Sequence, residues 1–292
     1  MKYLNNKNQL DLPWVESPFF EELLKNNDHS VKEIELARKF NSDGYVVIDL
    51  DLSQSDIDLV VQDMRSSIDR ENLTKQAEHF TYSNSPRIFE EWKHSKNIKN
   101  LCLHPKLIET LEFLYNKKVF PFSTINFMKG SNQPLHSDTI HFHTIPQLWM
   151  SGVWVALEDT TAENGTLSIV PGSHKLPILD YANLQLPHPD DREDGESNNY
   201  KDYEEFVRQL IKANGIEPTP VPLKKGQALI WAANLLHGGT PIDENIEQTR
   251  LTQAIHYFYE GCSEYYHPMF SNIFKGKFAS KWCDEENNIK TL

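Results

Sequence analysis

The residues with the clearest capacity for chemistry are two histidines and one aspartate that lie far apart in the chain. His136 and Asp138 form a His-x-Asp pair in the segment Gln133–Ile140, and His237 opens the segment His237-Gly-Gly-Thr240. Two imidazoles and one carboxylate are the ligands of the facial triad that holds non-haem Fe(II) and leaves the opposite face open. If the three side chains converge, the sequence predicts an iron site with room for a bidentate 2-oxoacid and O₂.

A His-x-Asp pair carries little weight alone, because a chance match is expected in a chain with 12 histidines among 292 residues. A second pair, His188-Pro-Asp190, is in fact present. The first pair follows Phe120–Met128, a β-branched and aromatic run typical of a strand, and residues two apart on a strand share a face. The second pair lies among prolines and acidic residues typical of a solvated loop. The first pair is therefore predicted to bind the metal.

Arg250 is the candidate for binding the cosubstrate. It follows His237 across a polar turn, so an antiparallel return would bring it back near the metal strand. A guanidinium binds a carboxylate through two parallel hydrogen bonds, which a lysine ammonium does not match. We therefore predict that Arg250 binds the distal carboxylate of 2-oxoglutarate. The alternative is a surface arginine paired with Glu244 or Glu247.

The order of several motifs resembles the phytanoyl-CoA dioxygenase family of Fe(II)/2-oxoglutarate oxygenases. The resemblance extends from Asp43 to Tyr259 and depends on Trp154–Asp159, Glu163–Lys175, His237-Gly-Gly and Arg250. It implies a double-stranded β-helix with catalytic residues His136, Asp138, His237 and Arg250. It also implies hydroxylation of an unactivated C–H bond of a small-molecule metabolite, with succinate and CO₂ as coproducts.

The same resemblance suggests further contacts to the cosubstrate. Trp154 is expected beside 2-oxoglutarate, with a buried core tryptophan as the alternative. Thr139 is expected to hydrogen-bond the oxoacid or only to favour its strand. Many members carry serine where this chain has Gly239, so Thr240 is a candidate source of the hydroxyl. Related halogenases lack the metal carboxylate, so Asp138 favours hydroxylation.

Four other histidines compete for attention. His141 and His143, taken with His136, suggest a histidine-rich zinc or cupin site, but in an unbroken strand odd positions face away from His136. We expect both on the loop that leaves the metal strand, where one of them contacts substrate. His174 and His256 have the pattern of ordinary polar or core residues.

Two other classes of protein stay open beside the oxygenase. One is a cupin-like metalloenzyme that uses Zn or Mn without 2-oxoglutarate, which a functional Arg250 argues against. The other is a catalytically silent jelly-roll binding protein, which an intact ligand triad argues against. The sequence leaves the substrate and the oligomeric state open.

The elements that must position these residues indicate an α+β fold, mainly β with flanking helices. Hydrophobic spacing changes from a helical period to a period of two near Val119, which suits a jelly roll, or double-stranded β-helix, with helical supports. We predict one domain over 1–292, in which 1–118 supplies mostly helical support and a first strand. The core would span 119–260, with an insert at 186–215, and 261–292 would be a C-terminal extension.

Individual elements follow from the same patterns. Apolar residues at helical spacing predict helices over Pro18–Leu24, Val31–Phe40, Ile57–Met64, Pro105–Tyr115 and Tyr203–Ala213. Alternating or β-branched runs predict strands over Tyr45–Ile48, Val119–Met128, Leu148–Leu157, Thr166–Val170, Ala228–Trp231 and Leu251–Tyr259.

Composition excludes some partners. The net charge of −13 argues against nucleic acid, which requires a basic face. No run approaches 18 apolar residues, so no membrane span is expected, and the N-terminus lacks the apolar stretch of a signal peptide. Cys102, Cys262 and Cys283 lie far apart, as free thiols would in a reducing cytoplasm. The sequence therefore predicts a cytoplasmic protein with a small-molecule substrate.

Overall fold

A computed structural model describes residues 10–25, 28–70, 87–187, 200–242, 249–262, 264–268, 271, 276, 280–283 and 289–291. The α-helices within these ranges are α1 Phe20–Lys25, α2 Val31–Asp43, α3 Gln54–Arg70, α4 Lys96–Cys102, α5 Pro105–Tyr115 and α6 Tyr200–Ala213. The strands are β1 Tyr45–Asp49, β2 Arg87–Phe89, β3 Val119–Phe127, β4 His143–Ile145, β5 Met150–Ala156, β6 Leu167–Ile169, β7 Thr219–Val221, β8 Gln227–Ala232, β9 His237–Gly239, β10 Thr252–Tyr259, β11 Glu264–Tyr266, β12 Ser280–Cys283 and β13 Ile289–Thr291. Across these ranges, no helix has both the length and the apolar character needed to cross a bilayer.

The strands form the antiparallel layers of a jelly roll. A six-stranded sheet has the order β1-β8-β5-β10-β3-β2, and a three-stranded sheet has the order β7-β6-β9. A further sheet, β13-β12-β11-β4, joins the C-terminal segment to β4. The predicted fold, a jelly roll flanked by helices, is thus confirmed. The division into support, core and extension stays a prediction.

The helices that support the large sheet begin and end at residues suited to those positions. Ser30 caps α2 in a capping box with Glu33, and Gly44 ends the helix in the left-handed conformation at φ 80°. Pro105 occupies the first turn of α5, where its missing N–H costs no hydrogen bond. The predicted α2 and α5 are confirmed, and α6 begins before the predicted start at Tyr203.

One face of the large sheet packs against the helices, and the other face packs against the small sheet. The core to which a strand residue belongs therefore shows which face its side chain occupies. On β10, Ile255 and Tyr257 belong to the core that includes the helices, whereas Ala254 belongs to the core between the sheets. Because successive side chains alternate across a strand, His256 shares the interior face with Ala254. Arg250, an even number of positions before them, also reaches the interior cavity.

The metal-ligand segments contradict one expectation. The strand predicted through Met128 ends at Phe127, and the His-x-Asp pair does not lie on a continuous strand. His136 instead forms a single antiparallel bridge with His237, with N–H···O distances of 2.9 Å in both directions. Asp138 already begins a 3-10 turn. The competing pair His188-Pro-Asp190 lies outside the described residues.

Candidate metal centre

The predicted ligands converge. One donor atom from each of His136, Asp138 and His237 lies within 4.8 Å of the other two, and all three side chains are buried. His237 Nε2 is 3.8 Å from Asp138 Oδ1. The β6–β9 pairing and the bridge between the two histidines therefore bring together the residues that the sequence separates.

Both imidazoles present Nε2 for coordination. His136 Nδ1 is 2.9 Å from the carbonyl oxygen of Pro134, and His237 Nδ1 is 3.0 Å from that of Leu235. A carbonyl oxygen can only accept, so each Nδ1 carries a hydrogen and the neutral form of each ring has its lone pair on Nε2. Burial also lowers the pKa of His136 well below its usual value, which keeps the ring neutral. The Gln133 amide nitrogen lies 3.1 Å from His136 Nε2.

The carboxylate is oriented by a tryptophan that sequence reasoning missed. Trp231 on β8 donates its Nε1 hydrogen to Asp138 Oδ2 at 2.8 Å. Gly152 pairs with Trp231 across the sheet, and a Cβ at Gly152 would lie only 2.1 Å from the indole ring. The glycine therefore gives the indole the room to reach the aspartate. Only the strand register shows this pairing, so no signal in the sequence could have revealed it.

The ionisation of Asp138 suits a metal ligand. Burial alone would raise the pKa of this carboxyl, but His237, His256 and His136, together with the Trp231 hydrogen bond, lower it below its ordinary value. Among the described residues, no lysine or arginine pairs with Asp138. Two neutral imidazoles and one carboxylate thus leave a divalent ion with one net positive charge. This donor set fits Fe(II) and retains attraction for an anionic cosubstrate.

Arg250 is buried, with 1% of its surface exposed, so the alternative of a surface arginine is wrong. Its Nη1 donates to Gly165 O at 2.5 Å and its Nη2 to Lys129 O at 3.3 Å, while Nε has no partner. The guanidinium carbon lies 5.2 Å from the centre of the Phe127 ring and 5.1 Å from that of Trp154. Burial lowers the pKa of Arg250 to about 9. The described residues offer this cation two carbonyls and two rings, and no carboxylate in an ion pair.

One cavity connects the metal ligands with Arg250. It has a volume of about 280 Å³ and is lined by all three ligands, Arg250 and Trp154. Trp154 therefore lies both in the core between the sheets and on the cavity wall, so its two predicted roles coincide. A molecule with a carboxylate at one end and a chelating group at the other would span this cavity.

Thr139 and Thr240 lie elsewhere. Thr139 Oγ1 donates to Asn234 Oδ1 at 3.2 Å and lies 2.8 Å from Ser137 Oγ. Thr240 Oγ1 donates to Ala162 O at 3.0 Å. Neither threonine is among the residues that line the cavity. Both hydroxyls form hydrogen bonds with protein groups, so we do not propose that Thr139 or Thr240 contacts the cosubstrate.

A different hydroxyl occupies the place near Gly239. A Cβ at Gly239 would lie 3.0 Å from Ser131 Oγ and 3.3 Å from Asn132 N. Ser131 is buried and lines the cavity together with Gly239. The loop carrying Ser131 thus fills the space that a side chain at position 239 would need. This close approach of two distant segments has no signature in the sequence.

The remaining histidines divide between the cavity and the scaffold. His141 lines the cavity from the segment after the 3-10 turn, as expected for one of the loop pair. The expectation that His143 lies on the same loop is wrong, because His143 begins β4, where its ring stacks on Tyr266 with ring centres 4.8 Å apart. His256 differs from the expectation of an ordinary core residue, because it lines the cavity and its Nε2 is 3.8 Å from Asp138 Oδ2. His174 is structural, with its Nε2 3.1 Å from a backbone carbonyl of α2.

A jelly roll that gathers two imidazoles and one carboxylate at an open cavity defines a mononuclear non-haem metal protein. The sequence model of the phytanoyl-CoA dioxygenase family (PhyH) matches residues 40–243. The chain therefore belongs to the phytanoyl-CoA dioxygenase family, and the expected family is confirmed.

Relatives and a solved structure agree with this assignment. A phytanoyl-CoA dioxygenase domain-containing protein 1 from Danio rerio is 28% identical over 186 residues, which are 58% of this chain and 53% of the relative. The chain thus spans about half the length of that protein. An ectoine dioxygenase from Sphingopyxis alaskensis is 28% identical over 218 residues, 69% of this chain and 68% of the relative. The non-heme alpha ketoglutarate dependent carbocyclase SnoK from nogalamycin biosynthesis has a similar fold, with a TM-score of 0.62 at 18% identity over 81% of this chain and 86% of that one.

Proposed function

We propose that this protein is an Fe(II)- and 2-oxoglutarate-dependent dioxygenase that hydroxylates an unactivated C–H bond of a small-molecule metabolite, with succinate and CO₂ as coproducts. The observation that carries the proposal is a buried guanidinium in the same cavity as a complete ligand triad. Among the described residues Arg250 has carbonyl partners and no ion pair, and a buried cation without an anionic partner is unfavourable. A carboxylate of the cosubstrate supplies that partner.

His136, Asp138 and His237 would hold Fe(II), and Arg250 would bind the distal carboxylate of 2-oxoglutarate. When bound, the iron supplies the capacity to activate O₂ at the expense of the oxoacid. Trp154 would form the wall beside the cosubstrate. We assign the additional hydroxyl to Ser131, which lines the same cavity, in place of Thr240.

The protein residues prepare the site electrostatically. The cosubstrate carries two negative charges, which match the net charge at the ligand triad and the charge of Arg250. Apolar and aromatic walls exclude water, and hydrogen bonds to a carboxylate are stronger in such surroundings than in water. Trp231 holds one oxygen of Asp138, which leaves the other oxygen for the metal.

The substrate would enter on the side of the cavity away from Arg250. Phe89, Phe142 and the imidazoles of His141 and His256 line the same cavity, and we propose them as contacts for the substrate. Burial lowers the pKa of His141 to about 3, so this ring is neutral and can donate or accept one hydrogen bond. The relatives include an ectoine dioxygenase, and we propose a substrate in the same broad class of small metabolites.

A cupin-like metalloenzyme without 2-oxoglutarate would have no use for Arg250 inside its cavity, so we do not favour it. A silent binding protein would not need three converging ligands. We also propose a cytoplasmic location, because Cys102 and Cys262 are buried free thiols.

The proposal is tested by anaerobic titration of the purified protein with Fe(II) and 2-oxoglutarate. A weak visible charge-transfer band that requires both components is expected in the wild type and absent in Asp138→Ala. A band that forms without 2-oxoglutarate, or that survives in Asp138→Ala, would contradict the assignment. A substrate library is then screened for succinate release, and hydroxylation is read as a mass increase of one oxygen atom in the product.

A further inference from the structure

A buried chain of hydroxyl groups lies behind the metal ligands, outside the cavity. Tyr203 on α6 accepts a hydrogen bond from Ser137 N at 3.1 Å, and its hydroxyl oxygen lies 3.2 Å from Ser137 Oγ. Ser137 Oγ is 2.8 Å from Thr139 Oγ1, which donates to Asn234 Oδ1 at 3.2 Å. All four side chains are buried, and none of them lines the cavity.

Ser137, a member of this hydrogen-bonded series, lies between two metal ligands. Ser137 separates His136 from Asp138, and its backbone N–H is bonded to the Tyr203 hydroxyl instead of a strand or helix partner. The segment pairs with β9 through the bridge between His136 and His237, and this bridge does not include the N–H of Ser137. A buried N–H without an acceptor is costly, so Tyr203 fixes the peptide that sets the spacing of both ligands.

Asn234, at the end of this hydrogen-bonded series, supports the segment that carries the third ligand. Asn234 donates through Nδ2 to His174 O at 3.2 Å and to Leu176 O at 2.8 Å. Thr139 N also donates to Ala233 O at 3.3 Å. Asn234 lies just before Leu235, whose carbonyl orients the imidazole of His237. The polar chain therefore extends from α6 to both ligand-bearing segments.

The apolar face of α6 docks on the same two segments. Tyr203, Val207 and Ile211 belong to a core cluster with Ile140, which follows Asp138, and Leu236, which precedes His237. The burial of this face holds α6 against the two segments that carry the ligands.

The first turn of α6 reaches two residues of the cavity wall. Tyr200 forms a hydrogen bond with the Gln133 amide at 3.4 Å, and its hydroxyl lies 3.2 Å from His141 Nε2. The insert helix thus contacts the cavity wall as well as the ligand segments.

We propose that α6 is a positioning element of the metal centre and that Tyr203, through Ser137, sets the geometry of the three ligands. The inference rests on the proposed function only in requiring that the triad bind a divalent metal. Tyr203 touches neither metal nor substrate. Removal of its hydroxyl should therefore change coordination and affinity, as loss of outer hydrogen bonds does at other metal sites.

The test compares Tyr203→Phe and Thr139→Val with Tyr257→Phe. The control removes an equivalent buried bond, since Tyr257 on the helix-facing side of β10 donates to Cys102 O at 2.7 Å. Co(II) binding is followed anaerobically by its visible spectrum, and thermal unfolding of the metal-free proteins is recorded in parallel. We expect Tyr203→Phe and Thr139→Val to raise the Co(II) Kd by about ten- to a hundredfold and to shift the absorption bands. Tyr257→Phe should lower stability and leave the Kd and the spectrum unchanged.

Wild-type Kd and spectrum in Tyr203→Phe, with only a loss of stability, would overturn the inference while the proposed function stands. If Tyr203→Phe does not fold, Thr139→Val decides on the same criteria. Failure of the wild-type protein to bind Co(II) would overturn the proposed function, and this inference with it.

Discussion

Replacement of Arg250 by methionine should weaken 2-oxoglutarate binding strongly and change the stability of the cosubstrate-free protein only slightly. Methionine fills much of the volume of the arginine stem and removes a buried cation that has no carboxylate partner among the described residues. Burial lowers the pKa of Arg250 from 12.5 to about 9. At ~1.4 kcal/mol per tenfold change in acidity, burying this charge costs up to about 5 kcal/mol.

The hydrogen bonds of the wild-type guanidinium offset part of this cost. Gly165 O and Lys129 O each accept one bond, and each bond from a charged donor contributes roughly 1.5–3 kcal/mol. Arg250→Met should therefore have a stability within about 2 kcal/mol of the wild type when no cosubstrate is present. Most single replacements of a fully buried side chain of this size are more harmful.

The effect of 2-oxoglutarate should differ sharply between the two proteins. Loss of two charge-assisted bonds to its carboxylate is expected to cost about 3–4 kcal/mol, or roughly two to three orders of magnitude in Kd. At a concentration one hundred times the wild-type Kd, 2-oxoglutarate should stabilise the wild type by about 2.7 kcal/mol and the variant by almost nothing.

Thermal unfolding with saturating Mn(II), with and without 2-oxoglutarate, measures both quantities, and Arg250→Lys is the charge-retaining control. We expect an intermediate Kd for Arg250→Lys, because an ammonium lacks the planar fork. The reasoning is refuted if Arg250→Met retains the wild-type stabilisation by 2-oxoglutarate. It is also refuted if the variant unfolds easily without cosubstrate, because the cation would then be a structural requirement.

Three further predictions concern other contacts. Trp231→Phe removes the hydrogen bond to Asp138, and we expect a metal Kd raised by about tenfold, measured by Mn(II) titration, together with a loss of stability of about 1–3 kcal/mol from the space left beside Gly152. Ser131→Ala should raise the 2-oxoglutarate Kd by about three- to tenfold and leave the metal Kd unchanged in the same titrations, since one neutral hydrogen bond contributes about 1 kcal/mol. Glu16 has a buried Oε1 without a hydrogen bond, and burial raises its pKa from 4.5 to about 8, so its ionisation destabilises the fold progressively as pH rises from about 4.5 through 8. Glu16→Gln should therefore gain about 2 kcal/mol at pH 9 and nothing at pH 4 in urea unfolding, a figure below the full ~5 kcal/mol because the side chain is partly exposed.

The sequence predicted the residues that carry their own chemistry. His136, Asp138, His237 and Arg250 have side chains whose function depends on type, and their order in the chain matched the family. The jelly roll was predictable because strands such as β5 and β10 are rich in β-branched and aromatic residues and follow one another after the helical segments. The break of the strand before His136 was not predictable, since polar loop residues and bridge residues look alike.

The site residues that the sequence did not predict take their roles from segments that are distant in the chain. Trp231 has the apolar pattern of any core strand, and its role depends on Gly152 lying opposite to it in register. Ser131 matters only because its loop approaches Gly239. His256 was assigned an ordinary polar or core role, although its place on β10 brings its Nε2 to 3.8 Å from Asp138 Oδ2. Each case depends on a distance between segments far apart in the chain, which local patterns do not contain.

The metal ligands and the residues around them should tolerate substitution differently. Replacement of a ligand acts on the metal directly, because it removes a donor atom. A hydroxyl can be supplied from another segment, as Ser131 at the position facing Gly239 illustrates. Outer contacts such as Trp231 and Tyr203 should therefore differ among members of the family more than the ligands do.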